Sequence, residues 1–154
     1  MKIRIITVVV NAIAALLIFV FAYTAVSKFF NYQIFRFNLK EAPLVGDHAG
    51  VTAILLSVIN LIPVFLLSVP IARRAGFIYS FILLFLYSLY LSYALLTAQH
   101  LPCSCSGIAP WLSWRNHLWV NLVLATLSVI AILLSKRIIA INPPVPASTG
   151  NRRS

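Results

Sequence analysis

Residues 5–27 read I-I-T-V-V-V-N-A-I-A-A-L-L-I-F-V-F-A-Y-T-A-V-S, 23 positions without a charge. A helix rises 1.5 Å per residue, so this run covers the roughly 30 Å hydrocarbon core of a bilayer. The basic start at Lys2 and Arg4 and the small-x-small triplet Ala25-Val26-Ser27 also fit a cleaved export signal. The apolar run, however, far exceeds the roughly 7–15 residues of a signal core, so we read it as a first membrane span.

Three more stretches of the same kind follow: 49–72, 75–98 and 118–135. The chain is 62% hydrophobic and 9% charged, against roughly 25% charged in a soluble domain. The expected architecture is therefore all-α, a polytopic bundle of four transmembrane helices forming one domain over residues 1–135. Residues 136–154, with prolines, small residues and Arg152-Arg153, read as a disordered, basic cytoplasmic tail. The net charge of +10 would suggest nucleic acid in a soluble protein. Here the cations stand at the ends of apolar runs, where they meet lipid headgroups, and no nucleic-acid partner is expected.

Between the first two spans lies K-F-F-N-Y-Q-I-F-R-F-N-L-K-E-A-P-L-V-G-D-H, residues 28–48. Aromatics mixed with Lys28, Arg36 and Lys40 have the composition of a segment in the headgroup layer. Phe30, Ile34 and Phe37 share a helical face, so a short interfacial helix is expected there, with a docking surface for a partner as the alternative. In the second span Asn60 should face other helices and bond across to one of them, with a quinone or substrate contact as the alternative. Pro63 follows it and removes a backbone donor. In the third span Tyr79, Tyr87, Tyr90 and Tyr93 recur with Ser80, Ser88 and Ser92. Helix packing explains them; a hydroxyl-lined pocket is the sharper alternative.

The charges also set a direction. One side of a four-span chain collects Lys2, Arg4, Arg73, Arg74, Lys136, Arg137, Arg152 and Arg153; the other collects Lys28, Arg36, Lys40 and Arg115 with both acids, Glu41 and Asp47. Positive charge stays inside, so both termini are expected in the cytoplasm, with the chain in the bacterial inner membrane.

The outer face then carries H-L-P-C-S-C-S-G-I-A-P-W-L-S-W-R-N-H, residues 100–117, with Cys103 and Cys105, the chain's two cysteines. That is the oxidising side of the membrane, where disulfides persist. One residue separates the thiols, and a bridge between them is sterically possible. So small a ring gains little from loop entropy and is readily reduced, which suits a redox couple better than a staple. Arg115 and His117 are candidates to lower a cysteine pKa, and a thiolate is the attacking form. Two other readings remain open. The pair can be structural, or His100, Cys103, Cys105 and His117 can hold zinc or copper(I) in an H-x2-C-x-C-x11-H pattern whose cysteine gap is shorter than usual for zinc.

The P-C-S-C-S-G run followed by L-S-W-R-N-H-L-W-V-N-L resembles the MauE/DoxX family of four-helix, redox-associated membrane proteins. The segment S-K-F-F-N-Y-Q-I-F-R-F-N-L is similar to that family's S-K-L-x-D-x-x-x-F connector. The likeness covers residues 5 to 135. It implies a part in the redox maturation of exported proteins, as for the disulfide-rich small subunit of methylamine dehydrogenase, with Cys103 and Cys105 as the redox pair. One departure stands out: relatives often carry an acid in the middle of the second helix, where this chain has Asn60. The implied function is a membrane thiol–disulfide oxidoreductase acting on an exported disulfide-containing protein. A single pair cannot relay electrons between cysteines across the membrane, so a thioredoxin-like partner or a membrane quinone must reset it. The alternatives are a non-enzymatic subunit or chaperone for an exported partner, and a metal-binding membrane protein.

Overall fold

A computed structural model describes residues 2–40, 46–97 and 114–141. Its elements are α1 (Lys2–Phe30), α2 (Tyr32–Lys40), a 3-10 turn (Gly46–His48), α3 (Ala49–Ser68), α4 (Arg73–Thr97) and α5 (Trp114–Ile141). Within these, Arg4–Phe30, Ala49–Ser68, Arg73–Tyr93 and Arg115–Arg137 are long and apolar enough to cross a membrane. The protein is an all-helical, multi-pass bundle. α1 packs on α3 and α5, and α4 packs on the same two, so the four long helices close a ring with α1 and α4 across the diagonal.

The side chains are sorted as a bilayer demands. The face of α3 turned into the bundle is Ala49, Ala53, Ser57, Asn60, Pro63 and Leu67. Its lipid side carries Val51, Ile54, Leu55, Val58, Leu61 and Phe65. Lipid tails are as apolar as leucine, so large residues gain nothing by turning inward, whereas small and polar ones let helices approach and bond. α4 and α5 repeat the pattern with buried Ser80 and Ser88, and with buried Ala125, Ser128 and Ala131. A core of Val10, Ile13, Leu17, Phe21, Leu67, Phe77, Leu84 and Leu124 fills the middle.

α1 passes into α2 through Asn31 alone. The Asn31 amide donates to the Ser27 carbonyl at 3.0 Å and the Phe35 amide to the Asn31 carbonyl at 2.9 Å, so the ladder continues across the bend. α2 then folds over α3. Phe35 and Leu39 are buried against Ala49 and Ala53, with Tyr32 beside them. Ile34 and Phe37 stay exposed with Phe30, which is the two-faced character expected of a helix in the headgroup layer.

At the opposite end, Pro70 lies in the turn between α3 and α4, where its missing donor costs no helical bond. Arg73 satisfies what α3 leaves open: its Nε donates to the Leu67 carbonyl at 3.3 Å, and its Nη1 reaches Asn11 Oδ1 of α1 at 2.7 Å. Gly76 brings α4 against α3 at this corner. A Cβ there would lie 2.9 Å from Leu67 Cγ and 3.0 Å from the Leu67 backbone nitrogen.

Candidate functional site

The polar groups of the bundle gather toward the end where α1 finishes and α5 begins. Lys28 is the first of them. Leu17, Phe21, Thr24 and Lys28 follow at helical spacing, and all are buried. The stripe that supplies the core therefore carries a cation inward at its last turn. Only 9% of Lys28 is exposed. Its Nζ lies 5.1 Å from the centroid of the Phe35 ring of α2 and 5.5 Å from that of Tyr87 of α4. Both are within the roughly 6 Å at which a ring face attracts a cation. An ionisable group held inside a membrane bundle is expensive, which makes it a functional candidate on physical grounds.

Tyr87 links this cation to α3. Asn60 donates from Nδ2 to Tyr87 Oη at 3.1 Å and to its own helix at the Leu56 carbonyl at 2.7 Å. The interhelical bond expected of Asn60 is present. Its Oδ1 is buried and, among the described residues, accepts no hydrogen bond. A buried acceptor left so costs roughly 1–3 kcal/mol. Lys28, Tyr87 and Asn60 thus join α1, α4 and α3 in one polar layer. Tyr87→Phe should lower stability by about 0.6 kcal/mol, and by no more than about 1.7, the range of interhelical hydrogen bonds in membranes. Equilibrium unfolding in mixed micelles measures it.

The serines of α4 bond within their own helix. The Ser80, Ser88 and Ser92 hydroxyls donate to carbonyls four residues earlier, at 2.8 Å in each case. Ser57 and Ser128 do the same at 2.9 Å. Their donors are occupied by their own helices, so the packing explanation accounts for them. Tyr93 is exposed.

Of the residues singled out by sequence, Cys103, Cys105 and His100 lie outside the described residues. Arg115 and His117 stand on the first turns of α5, where two residues of separation put them on opposite sides of the helix. His117 is 4% exposed and faces the bundle, on one stripe with buried Asn121. Arg115 is exposed. They therefore face two environments. Of the residues proposed as a metal set, only His117 falls within the described structure, and among the described residues no three His, Cys, Asp or Glu side chains come together.

The composition of the connector did not show that Lys28 turns into the bundle beneath Phe35. The cause is simple. α1 runs on to Phe30, and its helical phase turns position 28 inward. The signal was present in the spacing from Leu17; the aromatic neighbours hid it.

A family model described as methylamine utilisation protein MauE matches residues 6–134. No curated protein and no solved structure matches the chain.

Proposed function

The chain belongs to the MauE family of methylamine utilisation proteins, and on that footing we propose that it exchanges thiols and disulfides with an exported protein through Cys103 and Cys105. A thiolate of the pair attacks one sulfur of the partner's disulfide. That S–S bond breaks, and the partner's other sulfur leaves as a thiolate and takes up a proton. The second cysteine then attacks the mixed disulfide and frees the partner's remaining thiol. Two electrons pass to the partner and the pair ends oxidised. The reverse sequence delivers a disulfide instead. A thioredoxin-like protein on the same side returns the pair to its starting state.

One observation carries this reading. The chain's two cysteines stand one residue apart in a single connection, between Thr97 at the end of α4 and Trp114 at the start of α5. Those helix ends share a side of the bundle with Lys28 and Arg115, and a cation brought close to a thiol favours the thiolate. The charges support a sidedness. Arg4, Arg73, Arg74, Lys136 and Arg137 sit at the other end. With Lys28 withdrawn into the bundle, the cysteine end keeps Arg36, Lys40 and Arg115 among its exposed cations. The asymmetry favours termini in the cytoplasm of a bacterial cell and the cysteine connection outside its inner membrane.

A membrane-impermeant maleimide should label reduced Cys103 and Cys105 in intact spheroplasts as fully as in detergent. Labelling that appears only after detergent is added would reverse the orientation and remove the exported partner.

A further inference from the structure

Below α2, a groove of about 530 Å³ runs between α1 and α3. That is within the roughly 300–1,000 Å³ of small-molecule sites. Ala25 and Phe29 of α1 form one wall, Ile54, Val58 and Leu61 of α3 the other, and Tyr32 of α2 closes the top. Ile54, Val58 and Leu61 lie on one helical face and extend the groove about 10 Å along the helix axis, the direction of a lipid chain. Two hydroxyls line it, and both donate to backbone: Ser57 to the Ala53 carbonyl at 2.9 Å and Tyr32 to the Gly50 carbonyl at 3.4 Å. The groove therefore asks for an apolar chain without hydrogen-bonding groups.

The mouth has the opposite chemistry. Gly50 stands one turn before Ile54 on the same face of α3. The Tyr32 hydroxyl and Arg36 Nε each lie 3.5 Å from where a Gly50 Cβ would be, so the guanidinium stands beside Gly50, one turn from Ile54 and next to the Tyr32 that lines the groove. Arg36 is exposed, and Lys40, one turn further along α2, is exposed as well. Among the described residues the acid at this end is Asp47. A planar guanidinium at the membrane surface is suited to a phosphate.

We propose that this groove is a binding site for an anionic phospholipid, with one acyl chain along Ile54, Val58 and Leu61 and the phosphate on Arg36. The charge at the mouth of the groove favours this occupant over an uncharged isoprenoid, which has no use for a guanidinium, and over a second copy of the chain, which would bring its own cations to the interface. The site stands independently of the thiol chemistry.

The test uses the full chain in phosphatidylcholine nanodiscs with spin-labelled phosphatidylglycerol or spin-labelled phosphatidylcholine as probe. One cation near the surface should give phosphatidylglycerol a preference of about five-fold in the immobilised fraction. Arg36→Gln should bring the two lipids to parity while a chain stays immobilised. Val58→Trp, at a half-exposed position where folding tolerates change, should release both. Equal retention of the two lipids by the native chain, or an unchanged spectrum in both variants, means ordinary boundary lipid and overturns the site. Displacement of the probe by a neutral isoprenoid quinone, to the same degree in Arg36→Gln, overturns the anionic headgroup. A cross-linked dimer lost in Val58→Trp would make the groove a contact between copies and overturn it too.

Discussion

Serine at either Cys103 or Cys105 should abolish net two-electron exchange with a disulfide substrate, and the two variants should fail differently. The variant that keeps the attacking sulfur should accumulate a mixed disulfide with its partner, because the resolving thiol is gone. The other should form none. Non-reducing gels of acid-quenched cells separate the two and identify the attacking residue. The native pair should also titrate against a glutathione series at a potential above about −300 mV, since structural disulfides lie below that value and exchange couples above it. A pair that stays oxidised throughout the series is a staple. A Cys103→Ser/Cys105→Ser variant that matures its partner as well as the native chain points instead to a subunit that holds an exported protein without chemistry.

The second large effect is structural. Gly76→Val should lower stability by on the order of 3 kcal/mol, and Gly76→Ala by roughly 1–2 kcal/mol, from overpacking against α3. Alanine is the better helix former by about 0.5–1 kcal/mol, so any loss in Gly76→Ala measures the collision after that gain is offset. The collision is hard to relieve. Leu67 is fully buried, and the added carbon would meet its side chain and its backbone nitrogen together. A rotamer change frees only the first of these. Leu67→Ala should therefore recover part of the cost of Gly76→Ala, and the double variant should lose less than the sum of the single losses. Strict additivity in a denaturation cycle would show that the two helices do not meet at this corner.

The two effects fall at opposite ends of the bundle. Gly76 fixes how closely α3 and α4 approach near the Arg73–Asn11 contact. The thiol connection departs from the far ends of α4 and α5. A loss of packing at Gly76 should thus reduce the amount of folded protein and leave the redox potential of the pair unchanged. The cysteine variants should abolish the exchange and leave the amount of folded protein unchanged.

Much of this molecule was legible in the order of its residues. Long apolar runs in water-free surroundings must satisfy their backbone internally, so helices were the only solution and their number followed from the runs. The amphipathic α2 followed from Phe30, Ile34 and Phe37 on one face. The inward turn of Asn60 followed from the cost of an amide in lipid. What could not be read was which helix answers which. Asn60 could have bonded to any neighbour, and only the closed ring of α1, α3, α4 and α5 put Tyr87 of α4 opposite it. The cation of Lys28 joined that layer for the same reason, since helical phase fixes a direction but not the rings waiting there. Sequence dictates what each helix must hide from lipid, because transfer costs are local. The tertiary structure decides what it hides against, because that depends on residues brought together from four separate turns of the chain.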